Sequence, residues 1–275
     1  MTDGKVISFI NMKGGVGKTT LCINVGYTLA KHFNKKTLII DMDPQFNATQ
    51  ALMEKFRSIE YYEKISKENK TISQIINHNF GGIHSKDDLY GFEDIVDKLD
   101  DKNYHLIPGD LNIIDFETSR RGSEKILQAF ISENNLKEKY DYILIDSPPT
   151  YSIFSIASLI ASDYYIVPIA PDVFSALGYE LLNRVISNDI VLKDTDVKEL
   201  GIVFTLINKD KIGRNNVIDS FKDDKIFINM IAEYERIRTG KVETFMLDMS
   251  TTEDDIINLT EEILSNIKDD IHEER

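Results

Sequence analysis

The chain of 275 residues holds one cysteine, Cys22, so no disulfide can close within it and a reducing, cytoplasmic address follows. No stretch approaches the roughly 20 continuous apolar residues of a membrane-spanning helix, and the opening MTDGKVISFINMKGG lacks the apolar core of a signal peptide. Linkers rich in Pro, Gly and Ser are missing, as are tandem repeats and low-complexity tracts, which leaves a single domain over 1–275. Positive charge is scarce: 32 Lys and Arg stand against 46 Asp and Glu, a net charge of −14. Half of that surplus sits in the last 25 residues, where nine acids meet two bases. A generally basic coat is excluded, a local basic patch is not.

What is present is apolar content of 42%, enough for a full core at this length, arranged as short apolar runs followed by helical stretches. Val6–Ile10, Thr37–Ile40, Tyr142–Ile145, Tyr164–Ile169 and Ile202–Ile207 are continuous rather than alternating, as parallel strands covered on both faces must be. His105–Pro108 and Ile226–Ile231 are weaker strand candidates. Leu21, Val25, Leu29 and Phe33 form a one-sided helical stripe, and Ile256, Leu259, Ile263, Ile267 and Ile271 mark an amphipathic closing helix. The alternation predicts an α/β fold: a doubly wound, mostly parallel sheet of about seven strands with helices on both faces. Residues 54–103 are the least regular stretch and read as an elaboration of the same domain.

The densest chemistry lies in VISFINMKGGVGKTT, Val6–Thr20. A strand runs into Gly14, Gly15, Val16 and Gly17, and Lys18, Thr19 and Thr20 open a helix. Glycines let main-chain N–H groups turn onto phosphate oxygens, the helix N-terminus adds its positive end, Lys18 adds a full charge and Thr19 offers a hydroxyl to Mg²⁺. The strict pattern asks for glycine where Met12 stands. Lys13 is an additional lysine that, by residue type alone, fits a solvated surface position equally well. Downstream, two apolar strands end in carboxylates: Asp41-Met42-Asp43-Pro44-Gln45, and Asp146-Ser147-Pro148-Pro149. Parallel strand ends converge on one crevice, so these acids can surround a metal and a terminal phosphate. An aspartate closing a strand also serves as a turn or helix cap.

KGGVGKTT with Lys13, DMDPQFNAT at Asp41–Thr49 and ILIDSPP at Ile143–Pro149 resemble the deviant Walker A, Walker A′ and Walker B motifs of the ParA/MinD ATPases, and the ParA partition branch in particular. The similarity continues through TISQII, LIPGDLNIIDFE and VPIAPDVFSALGYELL. The resemblance implies ATP and Mg²⁺ as ligands and a homodimer formed when ATP is bound. It implies that Lys13 crosses to the partner's nucleotide and that Asp43 places the attacking water, with Asp41 and Asp146 assisting Mg²⁺. Lys13, Lys18 and Asp43 thus become the expected catalytic set. For adenine the resemblance points to Asn208 and the loop from Pro168 to Pro171, although Asn208 equally suits a helix cap.

The same resemblance implies nonspecific binding of duplex DNA, a ParB-type centromere-binding partner and association with the nucleoid. From Lys209 to Lys241 eight bases meet six acids, and Lys211, Arg214, Arg236 and Arg238 are the expected DNA contacts. An ordinary mixed-charge surface is the other reading of that stretch. The chain starts directly at its first strand, so no N-terminal helix-turn-helix extension is expected. A MinD-like membrane switch is the alternative, but the acidic closing helix would be repelled by anionic lipid. An iron–sulfur ATPase is disfavoured, because Cys22 alone cannot hold a cluster.

Overall fold

The computed structural model describes residues 3–78, 91–100, 102–118, 122–172, 175–207, 216–233 and 245–273. Seven strands form one sheet: β1 (Lys5–Phe9), β2 (Thr37–Asp41), β3 (Asp97–Lys98), β4 (Tyr104–Ile107), β5 (Tyr142–Asp146), β6 (Tyr164–Ile169) and β7 (Lys198–Phe204), in the order β3-β4-β2-β5-β1-β6-β7. All pairings are parallel except β3 with β4. Every expected main strand is present. Ile226–Ile231, however, is not one: its main chain meets β7 through an isolated bridge from Ile202 to Ile226 and scattered hydrogen bonds, without a ladder. The seventh strand is the two-residue β3 at the other edge, too short to leave a periodic signature.

The pleat sends successive strand residues to opposite faces, and each face is covered. Ile7, Phe9, Ile39, Leu106, Leu144, Ile166 and Val203 pack with helices α1 (Lys18–Lys31), α2 (Asn47–Phe56) and the closing helix Glu253–Glu273. Their neighbours Val6, Leu38, Ile40, Ile143 and Ile145 pack on the other face, and Val167, Ile169 and Phe204 continue that layer. Hydrophobic residues on consecutive positions are therefore all buried, which is why these runs do not alternate.

Helix α1 departs from the expected single stripe. Ten of its residues are buried, because α2 and the closing helix flank it while the sheet lies beneath. Gly26 permits the close approach: a Cβ there would stand 2.6 Å from Cδ1 of Ile39. Within the irregular stretch after α2, the chain forms α3 (Ile59–Lys67) and α4 (Ile72–His78) before returning to the edge of the sheet. Ser58 caps α3 by accepting the amide of Tyr61 at 3.2 Å.

Candidate functional site

The carboxyl ends of β1, β2 and β5 are in register: Phe9 pairs with Asp146, and Asp146 pairs with Asp41. The loop leaving β1 meets the two aspartates at this edge, at the crevice the doubly wound topology creates. Asn11 shapes the loop, accepting the amide of Lys13 on Oδ1 at 3.0 Å and donating from Nδ2 to the carbonyl of Pro168 at 2.7 Å. Gly15 (φ 73°) and Gly17 (φ 83°) take the left-handed conformation, where a side chain would be strained. The hydroxyl of Thr205 donates to the carbonyl of Val16 at 2.7 Å, tying the loop to the end of β7. α1 then starts at Lys18 with no side-chain cap and no acid in its first turn, leaving its amino end suited to an anion.

Lys18 is 6% exposed, and Nζ donates to the carbonyl of Lys13 at 3.1 Å. Burial lowers its pKa, partly offset by Asp146 and Asp43. Lys13 pairs instead with Asp172, and both side chains are partly exposed. Gly178, in the helix Ser175–Asn188, keeps this corner open, since a Cβ there would come within 3.2 Å of Asn11 Oδ1 and 3.5 Å of Lys13 Cβ.

The three aspartates differ sharply. Asp41 is fully buried, takes the amide and the hydroxyl of Thr49 on Oδ2 at 2.8 and 2.7 Å, and takes the amide of Asp43 on Oδ1 at 3.2 Å. Burial nevertheless pushes its pKa up to about 7, against the pull of the Thr49 bonds. Asp43 accepts the amide of Gln45 at 2.8 Å, and burial raises its pKa while Gln45 and Lys18 oppose the shift. Asp146 is fully buried, and neither of its oxygens has a hydrogen-bond partner of good geometry. Its pKa is driven well up by burial and then by Asp41, with Thr19 and Lys18 close enough to favour the charged form.

A pocket of about 490 Å³ opens above these groups. Its lining includes Gly14, Gly15, Lys18, Thr19 and Thr20 from the loop and α1, Asp43 and Gln45 from the turn after β2, Asn47, Gln50 and Glu54 from α2, and Pro149. The larger groove, about 850 Å³, opens at the amino ends of the strands beside Asp3, Asp163 and Asp196, where no glycine loop and buried lysine converge. The smaller pocket is therefore the candidate site.

Magnesium fits these residues. Two bare, buried carboxylate oxygens beside a threonine hydroxyl and a lysine are costly unless a cation joins them. Magnesium takes few protein ligands and completes its shell with phosphate and water, which suits a site built from one carboxylate and one hydroxyl.

The structure thus brings together Lys13, Gly14, Gly15, Val16, Gly17, Lys18, Thr19, Thr20, Asp41, Asp43 and Asp146. Pro168 lies inside buried β6, past the end of the β1 ladder, and its carbonyl braces Asn11. Asn208, Lys211, Arg214, Arg236 and Arg238 lie outside the described residues. Thr205 and Asp172 escaped sequence reasoning because each acts on the loop from more than 150 residues away. Thr49 carried a weak signal as the last residue of DMDPQFNAT.

A family model described as an AAA domain matches residues 4–198. An uncharacterised protein of Methanocaldococcus jannaschii is 35% identical over 213 residues, 74% of each chain. The chromosome-partitioning ATPase Soj of Treponema pallidum is 30% identical over 235 residues, 83% of each chain. A McdA variant from Cyanothece in complex with ATP shares the fold, with a TM-score of 0.75, 21% identity and 98% of both chains covered. Identity of this depth along most of the length, with the domain match over 4–198, makes the chain a member of the ParA family of P-loop proteins.

Proposed function

We propose that this chain is an ATP-hydrolysing switch for DNA partition, cytoplasmic and nucleoid-associated, that closes into a homodimer on ATP and Mg²⁺. The observation that carries the reading is the buried Lys18 set beside an Asp146 whose two oxygens lack partners. Lys18 and the first-turn amides of α1 bind phosphate, and Thr19 with Asp146 would hold Mg²⁺. The metal, when bound, neutralises charge on the outer phosphates. Asp41 adds negative charge behind the site, and Asp43, at the pocket wall, orients the attacking water.

Lys13 is the residue through which the second copy acts. Its present partner, Asp172, is partly exposed, so the ammonium can leave it at modest cost and reach the partner's nucleotide. A cation supplied in trans is worth about 10³–10⁵ in rate for phosphoryl transfer. The dimer holds duplex DNA without sequence preference, and a ParB-type protein stimulates turnover. This step draws on the partition role named for the Treponema relative.

Lys18→Ala and Lys13→Ala test the reading together. Lys18→Ala loses binding of a fluorescent ATP analogue, whereas Lys13→Ala keeps binding but loses the ATP-dependent dimer in light scattering, and its hydrolysis. Undiminished binding in the first, or normal dimerisation and turnover in the second, would overturn it.

A further inference from the structure

Thr49 is wholly buried in α2 and takes part in three of the site's internal hydrogen bonds, as many as Asp41. It gives Asp41 Oδ2 both its amide, at 2.8 Å, and its hydroxyl, at 2.7 Å. The same hydroxyl accepts the amide of Gly109 at 2.7 Å. One O–H donates one proton and still has lone pairs to accept, so both bonds can stand at once.

Gly109 belongs there because nothing larger fits: a Cβ would lie 2.9 Å from Cγ of Asp41 and 2.8 Å from Cβ of Phe46. Its turn is held from the far side. The Tyr62 hydroxyl donates to the Gly109 carbonyl at 3.1 Å, and the neighbouring Asp110 accepts from Thr71 at 2.8 Å and Ser66 at 3.2 Å. Toward the pocket, Asp41 Oδ1 accepts the amide of Asp43. A continuous set of hydrogen bonds therefore runs from α3 and the start of α4 through the 108–110 turn and Thr49 to Asp41, and on to the main chain that carries Asp43.

We infer that Thr49 is a positioning residue: its hydroxyl locks the Asp41 carboxylate to the Gly109 turn, and Asp41 in turn fixes the backbone from which Asp43 reaches the pocket. This rests on the ATP-hydrolysing reading above. Removing the hydroxyl leaves the Gly109 amide without its acceptor and Asp41 with one donor fewer on Oδ2, so the buried carboxylate is free to re-aim. A water-orienting group tolerates little displacement, and outer partners of this kind are worth about 10–100-fold when lost. Residues 59–78, none of which lines the pocket, then act as the outer brace of the A′ loop.

The test compares the full chain with Thr49→Val, Thr49→Ser and Tyr62→Phe in four measurements: ATP hydrolysis across ATP concentrations, binding of a fluorescent ATP analogue, thermal melting, and amide exchange over 105–112. Thr49→Val is expected to lower kcat about 10–100-fold with KM and analogue binding within about threefold, and to speed exchange at Gly109. Thr49→Ser, which keeps the hydroxyl, is expected to restore kcat and protection. A Thr49→Val protein with wild-type kcat, or a well-folded Thr49→Ser protein as impaired as the valine, would overturn the inference. Should Thr49→Val show no cooperative melt, Tyr62→Phe decides: a lower kcat at unchanged KM supports the brace, and an unchanged kcat overturns it. A wild-type chain that does not hydrolyse ATP overturns the underlying reading as well, while a hydrolysing wild type with an indifferent Thr49→Val overturns this inference alone.

Discussion

Asp41 and Asp146 end adjacent parallel strands as register partners, yet Asp41 receives three hydrogen bonds and Asp146 receives none of good geometry. Two carboxylates at one crevice are thus divided into a satisfied group that supports the loop and a group whose oxygens are left without hydrogen bonds of good geometry. Neither oxygen of Asp146 could stay unpaired and charged in this interior at neutral pH without a compensating ligand.

The division predicts the effect of Asp146→Asn. Affinity for an ATP analogue in the presence of Mg²⁺ should fall at least tenfold, about 1.4 kcal/mol, while affinity measured in a chelator changes little. Equal losses in both conditions would assign Asp146 to phosphate-loop support instead of the metal.

For Asp43 the expectation is a separation of binding from turnover. Asp43→Ala should bind ATP and dimerise but hydrolyse it at least about 10²-fold more slowly, the range for loss of a positioned acid–base group. Single-turnover kinetics on the mixed components would show it. Loss of ATP binding itself would make the residue structural.

DNA binding, if it runs through Lys211, Arg214, Arg236 and Arg238, must be salt-dependent. The log–log slope of affinity against salt should be about −0.9 per phosphate contacted, and each charge removed should flatten it. Arg236→Ala combined with Arg238→Ala should weaken DNA binding with basal hydrolysis unchanged. An unaltered salt slope in the quadruple alanine variant would leave the stretch as a solvated face.

His105 provides a pH test of the fold, separate from catalysis. Its Nδ1 pairs with the Tyr140 hydroxyl at 2.8 Å, its Nε2 is buried without a partner, and burial followed by Lys36 lowers its pKa from 6.5 to about 4. The unfolded chain then takes up the proton first, so stability present above pH 6.5 is lost as pH falls toward 4. The loss should be on the order of 1–3 kcal/mol, several degrees in Tm, and His105→Gln should flatten it between pH 7 and 5. Identical pH dependence in the two proteins would show that the carboxylates dominate.

The order of elements and the phosphate loop were legible in the sequence because they depend on local rules. Continuous β-branched runs can only be strands buried on both faces, and glycines followed by Lys18 and Thr19 have few other uses. The positions of Asp41 and Asp146 were legible for the same reason, each closing such a run, with Asp43 two residues further on. The short edge strand β3 was not, since two residues carry no period, and Ile226–Ile231 misled because Phe227 and Ile231 are buried by packing without a ladder while Ile228 faces outward. The tertiary structure alone decided which lysine is buried, what Lys13 pairs with, and which aspartate is left bare. Those outcomes depend on Asp172, Thr205 and the Gly109 turn, groups far away in sequence that only the closing of the sheet brings within hydrogen-bond distance. Residue types set the chemistry available at the crevice, and long-range packing, by choosing which polar atoms are satisfied, set which of it can be used.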